Sequence, residues 1–129
     1  NHNFVLKRIV NFARNRKKNQ KLYLGNISVY RDWGWAPEYV EAMWLMLQKK
    51  SSEDFVIATG ETHSLEEFVE EVFNQLGLNW QNHVSINNAL MRPTDITFNK
   101  ADPSKAMQKL NWKAKYKMRE VVQMMIEPL

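Results

Sequence analysis

The chain has no cysteine in its 129 residues, which excludes disulfide staples and thiolate metal sites. Its three histidines, His2, His63 and His83, are too scattered for a zinc cluster, so no structural metal is expected. No apolar stretch reaches the roughly 20 residues that cross a bilayer, and the N-terminus lacks a signal-peptide hydrophobic run. A cytoplasmic protein without membrane contact is therefore expected. Glycine is also scarce, with four in all. None forms the glycine-rich strand-to-helix turn that cradles a dinucleotide pyrophosphate, and no Tyr-x-x-x-Lys pair offers an acid/base tyrosine tuned by a lysine. Internal repeats, low-complexity segments and long flexible linkers are absent as well.

What remains has the length of one domain, and its 44% hydrophobic content suffices for a single core. One compact unit is expected. Eighteen Lys and Arg against fourteen Asp and Glu leave +4, which suits an anionic ligand and equally suits plain solubility. The densest basic run holds Arg14, Arg16, Lys17, Lys18 and Lys21. It could track a nucleic-acid backbone, but a short cationic run at the end of an amphipathic helix more often complements the helix dipole. Nucleic acid is not the expected partner.

Apolar Phe4, Ile9, Phe12 and Ala13 recur at helical spacing and predict a first helix to about Arg16. Leu22 to Leu24 and Ser28 to Tyr30 read as short extended segments joined by the turn signal Gly25-Asn26, which suggests a hairpin. Pro37 suits the first turn of a helix whose Val40, Met43, Trp44 and Leu47 form one apolar stripe, expected to pack inward. The continuous apolar run Phe55-Val56-Ile57-Ala58 predicts a central strand covered on both faces. Ser64 with Glu67 forms a capping box ahead of the stripe Leu65, Phe68, Val69, Val72, Phe73 and Leu76, and Gly77 ends it. His83 to Asn87 and Asp95 to Phe98 read as extended. Asp102-Pro103 opens a helix through Leu110, and Met118 to Ile126 makes a last amphipathic helix. The class is mixed α/β. Met43, Met46, Met107, Met118, Met124 and Met125 read as flexible filling of apolar helix faces. Among the tryptophans Trp33, Trp35, Trp44, Trp80 and Trp112, a base-stacking platform is conceivable, but Trp44 and Trp112 read as core. His63 and His83 lack a nearby partner that would mark a tuned base and read as structural.

Several stretches together carry a family likeness: Leu24-Gly25-Asn26, Arg31-Asp32-Trp33-Gly34, Tyr39-Val40-Glu41-Ala42-Met43-Trp44, Asp54 to Glu61 with His63-Ser64, Arg92-Pro93-Thr94-Asp95, and Lys105 to Lys113. In this order they resemble the GDP-mannose 4,6-dehydratases of the extended short-chain dehydrogenase superfamily, over nearly the whole chain. In that family an N-terminal Rossmann domain binds NADP and carries the catalytic Thr, Glu, Tyr and Lys, while the C-terminal portion closes over the GDP-sugar. The chain resembles only that C-terminal, substrate-binding portion, with mixed helices and short strands and the Rossmann half absent. Residues 1–129 are thus expected to form a nucleotide-sugar-binding domain of a larger, homo-oligomeric enzyme.

The resemblance implies a set of roles. Arg31 and Arg92 would grip the diphosphate, which planar guanidinium forks meet with paired, charge-assisted hydrogen bonds. Asp95 stands where the family usually has Glu, and its carboxylate would accept from ribose hydroxyls. On the first helix Val5 lines the nucleotide pocket and Arg8 supplies the basic residue three positions on. Leu6 stands where threonine is common, and a plain core role for Val5 and Leu6 is equally open. Leu24, Gly25 and Asn26 would bring backbone groups and an amide to the guanine, with Gly25 as a mere hairpin turn the alternative. Asn1 would contact the substrate and His2 would lie near the cofactor, leaving no catalytic residue in this chain and no metal.

Three positions depart from the pattern. Trp35 replaces the usual His, Met91 replaces a common Tyr, and the residues after His2 are not Glu-Ser-Pro-x-Arg, a stretch that normally offers the cofactor an arginine. Two rival readings stay open: a related GDP-deoxyhexose reductase or nucleotide-sugar epimerase portion, and a non-enzymatic module that binds anions or nucleic acid.

Overall fold

The computed structural model describes residues 4–91 and 96–127. These form an α/β arrangement of five α-helices and four short strands. The described residues fall into two compact units. The first takes the described parts of 1–29, 64–97 and 122–129, the second those of 30–63 and 98–121. Because the chain passes from one to the other several times, no linker-like stretch marks the division.

The first unit is built on α1 (Val5–Asn15) and α3 (Leu65–Gln75), which pack together. The buried faces are Leu6, Ile9, Val10 and Ala13 on α1 and Leu65, Phe68, Val69, Val72 and Phe73 on α3. Each large apolar side chain so buried contributes roughly 1.5–3 kcal/mol before the entropy of ordering is set against it. The start of α3 follows from its capping sequence: the Ser64 hydroxyl accepts the Glu67 N–H at 3.1 Å. Its end follows from Gly77, at φ +72°, which lets the Leu78 N–H reach back to the Phe73 carbonyl at 2.9 Å.

Beside these helices β1 (Leu22–Leu24) runs parallel to β4 (Val84–Ile86), with Leu22 opposite Val84 and Leu24 opposite Ile86. The expected hairpin around Gly25-Asn26 does not form. The Asn26 side-chain oxygen accepts the Ser28 N–H at 2.8 Å, a local Asx turn that leaves the strands unpaired with each other. A parallel partner needs a long connection between the strands, and α3 lies within it. Local turn chemistry could not disclose that pairing.

In the second unit α2 (Ala36–Leu47) and α4 (Ser104–Leu110) enclose a cluster of Ala42, Ala106, Trp112 and Ala114, with Tyr39, Leu45, Phe55, Ile57 and Leu110 against it. Here the inward face of α2 is the opposite of the one expected. Val40, Met43, Trp44 and Leu47 are exposed, Leu47 to 81%, so Trp44 is not core whereas Trp112 is. A polar clamp fixes the rotation of the helix. The Glu38 carboxylate accepts the Lys115 N–H at 2.7 Å and the Tyr116 N–H at 3.0 Å, and the Trp112 indole N–H donates to the Glu38 carbonyl at 3.0 Å. Met43 and Met107 are likewise exposed, while Met118 is buried.

The run Phe55 to Ala58 is not a central strand either, for it joins no ladder among the described residues and Val56 is half exposed. Phe55 and Ile57 pack on the cluster, and Lys105 lies 4.8 Å above the Phe55 ring while donating to the Asp54 carbonyl. Glu53 accepts from Lys109 at 2.7 Å, which holds its carboxyl below the usual range. β2 (Tyr30–Arg31) pairs with β3 (His63–Ser64), and Tyr30 makes a further parallel bridge to Phe98, their rings 5.5 Å apart. The last helix, α5 (Met118–Ile126), has the bounds its sequence predicts.

Candidate functional site

Five of the expected binding residues lie in the first unit. Val5 and Arg8, three residues apart on α1, share its solvent-facing side, whereas Leu6 between them is buried, which places Leu6 in the core. The Arg8 guanidinium donates to the Tyr23 carbonyl at 3.1 Å and so ties α1 to β1 one residue before Leu24-Gly25-Asn26. An open groove of about 480 Å³ runs along this face of α1, lined by Phe4, Lys7, Arg8, Asn11, Phe12 and neighbouring residues.

Leu24 itself is almost wholly buried, and its carbonyl accepts the Asn87 N–H at 2.7 Å. Its side chain belongs to the core. Gly25 is explained by neither a hairpin nor a ligand alone, because a Cβ there would stand 2.7 Å from the Leu90 carbonyl oxygen. The main chain of the 3-10 turn Asn88–Leu90 fills the space a side chain would need. Gly25→Ala is expected to cost about 1–3 kcal/mol of stability through this overpacking, seen as a lowered denaturant midpoint at unchanged slope. Asn26 spends its side-chain oxygen on Ser28 and keeps its amide hydrogens to offer.

Arg31 lies in the second unit, at the end of β2, partly exposed, with one guanidinium nitrogen donating to the Tyr30 carbonyl at 2.7 Å. The residue after it is tightly held. The Asp32 carboxylate accepts the Thr59 N–H at 3.0 Å, the Thr59 hydroxyl at 2.7 Å and the Gly60 N–H at 2.9 Å. Lys117 in turn donates to the Thr59 carbonyl. Asn1, His2, Arg92 and Asp95 lie outside the described residues.

Sequence reasoning missed two participants. Tyr23, exposed between the buried Leu22 and Leu24, could have been picked out by that alternation. Asp32 was visible only as a letter in a motif, since its partners are distant in the sequence. His63 has a closer neighbour than expected, for its Nε2 lies 3.4 Å from a Glu61 carboxylate oxygen. His83 stacks on Phe73 at 5.5 Å, in keeping with a structural role. The basic run at the end of α1 behaves as a cap, with Arg16 donating to the Ala13 carbonyl at 3.1 Å. Among the described residues no group of acidic or histidine side chains could hold a metal, and no helix is long and apolar enough to cross a membrane.

Comparison with known proteins decides the family. The sequence model described as GDP-mannose 4,6 dehydratase matches residues 1–125. The chain belongs to the GDP-mannose 4,6-dehydratase family. GDP-mannose 4,6 dehydratase 1 of Arabidopsis thaliana is 46% identical over 128 residues, which are 97% of this chain and 35% of that protein. The human GDP-mannose 4,6 dehydratase is 45% identical over 120 residues, covering 80% of this chain and 32% of that protein. The chain therefore spans about a third of the length of the curated relatives it matches. By fold it is similar to dTDP-glucose 4,6-dehydratase from Bacillus anthracis in complex with NAD, at a TM-score of 0.82 and 18% identity, covering 98% of this chain and 39% of that one. UDP-glucose 4-epimerase from Bifidobacterium longum, in complex with NAD+ and UDP, gives 0.77 at 18% identity, with 94% and 37% covered. These likenesses are of fold: the chain shares the fold of the matching part of each of these two enzymes.

A nicotinamide cofactor is bound in those structural neighbours, and among the described residues no open glycine turn between a strand and a helix could take its pyrophosphate. Gly34 alone stands between a strand, β2, and a helix, α2, where a pyrophosphate-binding turn would need open space. That space is filled: a Cβ on Gly34 would stand 2.2 Å from the Tyr39 hydroxyl oxygen. Burial, followed by the nearby Asp32 and Glu38 carboxylates, pushes the Tyr39 phenol up to about 12. The protonated form is thus favoured in the folded protein. Its contribution is complete below about pH 10, the ordinary tyrosine value, and is lost as pH rises toward 12, because the unfolded chain gives up this proton first. Stability should fall across that window, and Tyr39→Phe should flatten the fall when unfolding is followed against pH.

Proposed function

We propose that the complete protein is a GDP-mannose 4,6-dehydratase and that this chain supplies its grip on GDP-mannose. The observation that carries the reading is the family match across residues 1–125, supported by identity of 46% to a plant enzyme of that name. The reaction removes one water overall. Hydride leaves C4 of the hexose as the O4 proton is given up, a proton leaves C5 as hydroxide leaves C6, and hydride returns at C6 as a proton returns to C5. NADP would take and return the hydride. That chemistry is assigned to the Rossmann half of the full-length protein, so this chain by itself is expected to be inactive.

The residues here would bind and orient. Arg31 and Arg92 would meet the diphosphate, the former from a strand end pinned by Asp32. Val5 and Arg8 would flank the nucleoside on α1. Leu24, Gly25 and Asn26 would bring main-chain groups and the Asn26 amide to the base, whose O6 and N7 are acceptors suited to that donor. Asp95 would accept from the ribose hydroxyls, Asn1 would touch the sugar, and His2 would lie near the cofactor. The test is incubation of the full-length protein with GDP-mannose and NADP. The expected product is lighter by one water and bears a 4-keto, 6-deoxy sugar. Unchanged GDP-mannose, or a C-epimer of it, would contradict the proposal.

A further inference from the structure

The Asp32 carboxylate, next to Arg31, accepts three hydrogen bonds. Two successive main-chain N–H groups, of Thr59 and Gly60, converge on its two oxygens with the Thr59 hydroxyl as a third donor. Gly60 adopts φ +85°, a left-handed conformation that favours glycine, and successive N–H groups in such a turn form a concave seat for an anion. Asp32 occupies that seat. The same turn is held from its other side by Lys117 on the Thr59 carbonyl, and Thr59 Oγ1 accepts the Glu61 N–H at 3.1 Å.

We infer that Asp32 is a positioning residue for Arg31, fixing the main chain beside it so that its guanidinium meets a nucleoside diphosphate rather than a monophosphate. This rests on the reading of Arg31 as a diphosphate grip. Arg31 is bracketed on one side by Tyr30, which bridges to Phe98, and on the other by Asp32 in its seat. A guanidinium on a fixed strand end loses less freedom when it binds than one on a mobile loop, so more of its interaction shows as affinity. The carboxylate does not cancel the arginine's charge. Among the described residues no ion pair joins it to Arg31, and its oxygens instead take the donors of Thr59 and Gly60. Arg31 meanwhile gives one donor to the Tyr30 carbonyl and retains the rest of its fork.

The experiment is titration of GDP and of GMP into the full-length protein, its variants Arg31→Ala and Asp32→Asn, and the double variant. The readout is the preference for GDP over GMP. Arg31→Ala should lower that preference by about tenfold or more, the size expected for a charge-assisted contact. Asp32→Asn should lower it comparably, and the double variant should fall no further than Arg31→Ala alone. If Asp32→Asn weakens GDP and GMP alike, or leaves the preference intact, or adds fully to Arg31→Ala, the positioning role is wrong while the diphosphate reading stands. If Arg31→Ala itself leaves the preference unchanged, the diphosphate reading fails and takes this inference with it. Thr59→Val, which removes one donor from Asp32 and keeps both main-chain N–H groups, guards against an unfolded Asp32→Asn. It should lower the preference a few-fold, and an unaltered preference in Thr59→Val would count against the role.

Discussion

Replacement of Glu38 by alanine is expected to lower the stability of the protein by about 3 kcal/mol, the sum of two lost charge-assisted hydrogen bonds less what water restores. Glu38 stands in the first turn of α2 and is only 8% exposed, a rare setting for a carboxylate. It is tolerated because each oxygen accepts a main-chain N–H, from Lys115 at 2.7 Å and from Tyr116 at 3.0 Å. Alanine leaves both donors without that acceptor and opens a gap beside Trp112. The Trp112 indole bond is to the Glu38 carbonyl, so alanine preserves it. Glu38→Gln, which keeps one oxygen, should cost distinctly less. Denaturant titration of both variants checks the ordering, and equal, near-zero losses would mean the clamp does not hold α2.

The second large effect is expected at Gly34. A Cβ there would lie 2.2 Å from the Tyr39 hydroxyl oxygen and 2.6 Å from two atoms of its ring, so Gly34→Ala must displace that side chain. Tyr39 is not free to leave without cost, for it packs edge-on to Trp112 with centroids 6.0 Å apart. Overpacking of this kind costs roughly 1–3 kcal/mol, and exposure of the ring raises the figure toward the upper end. Removal of the obstacle should relieve the strain: Gly34→Ala combined with Tyr39→Ala should destabilise by clearly less than the two single losses together. Strict additivity in thermal unfolding would show that Tyr39 does not occupy the space beside Gly34.

What could be read from the sequence was what is encoded locally. The capped helix after Ser64 was legible because its cap, its stripe and its terminal glycine are all contained in one short segment. The last helix was legible for the same reason. β1 was recognisable as a strand, but its partner was not, since the Asn26 turn that suggested a hairpin acts only on Ser28 while the ladder forms with Val84 to Ile86. The apolar stripe of α2 misled because periodicity identifies an apolar face without saying what covers it. Trp112 and Glu38 fix the opposite face toward the cluster, and Val40, Met43, Trp44 and Leu47 have no cover among the described residues. Phe55 to Ala58 misled likewise, in a chain that spans about a third of its relatives' length.

The candidate site divides in the same way. Arg31, Arg8 and Gly25 could be singled out from motifs, because residue type and order are what a family likeness preserves. The partners that fix them could not. Arg8 is tied to Tyr23, Gly25 accommodates Leu90, and Asp32 finds Thr59 and Gly60, each a contact between residues far apart in the chain. Leu24 likewise has its side chain buried and its carbonyl engaged by the distant Asn87 N–H, neither of which the motif discloses.

The most direct measurement is calorimetric titration of GDP and of guanosine into the full-length protein and into its Arg31→Ala and Arg92→Ala variants. If both guanidinium groups grip the diphosphate, each variant should bind GDP about 10- to 100-fold more weakly, the loss expected for one charge-assisted contact, and bind guanosine as before. Unchanged GDP affinity in both variants would contradict the proposed grip on the nucleotide sugar.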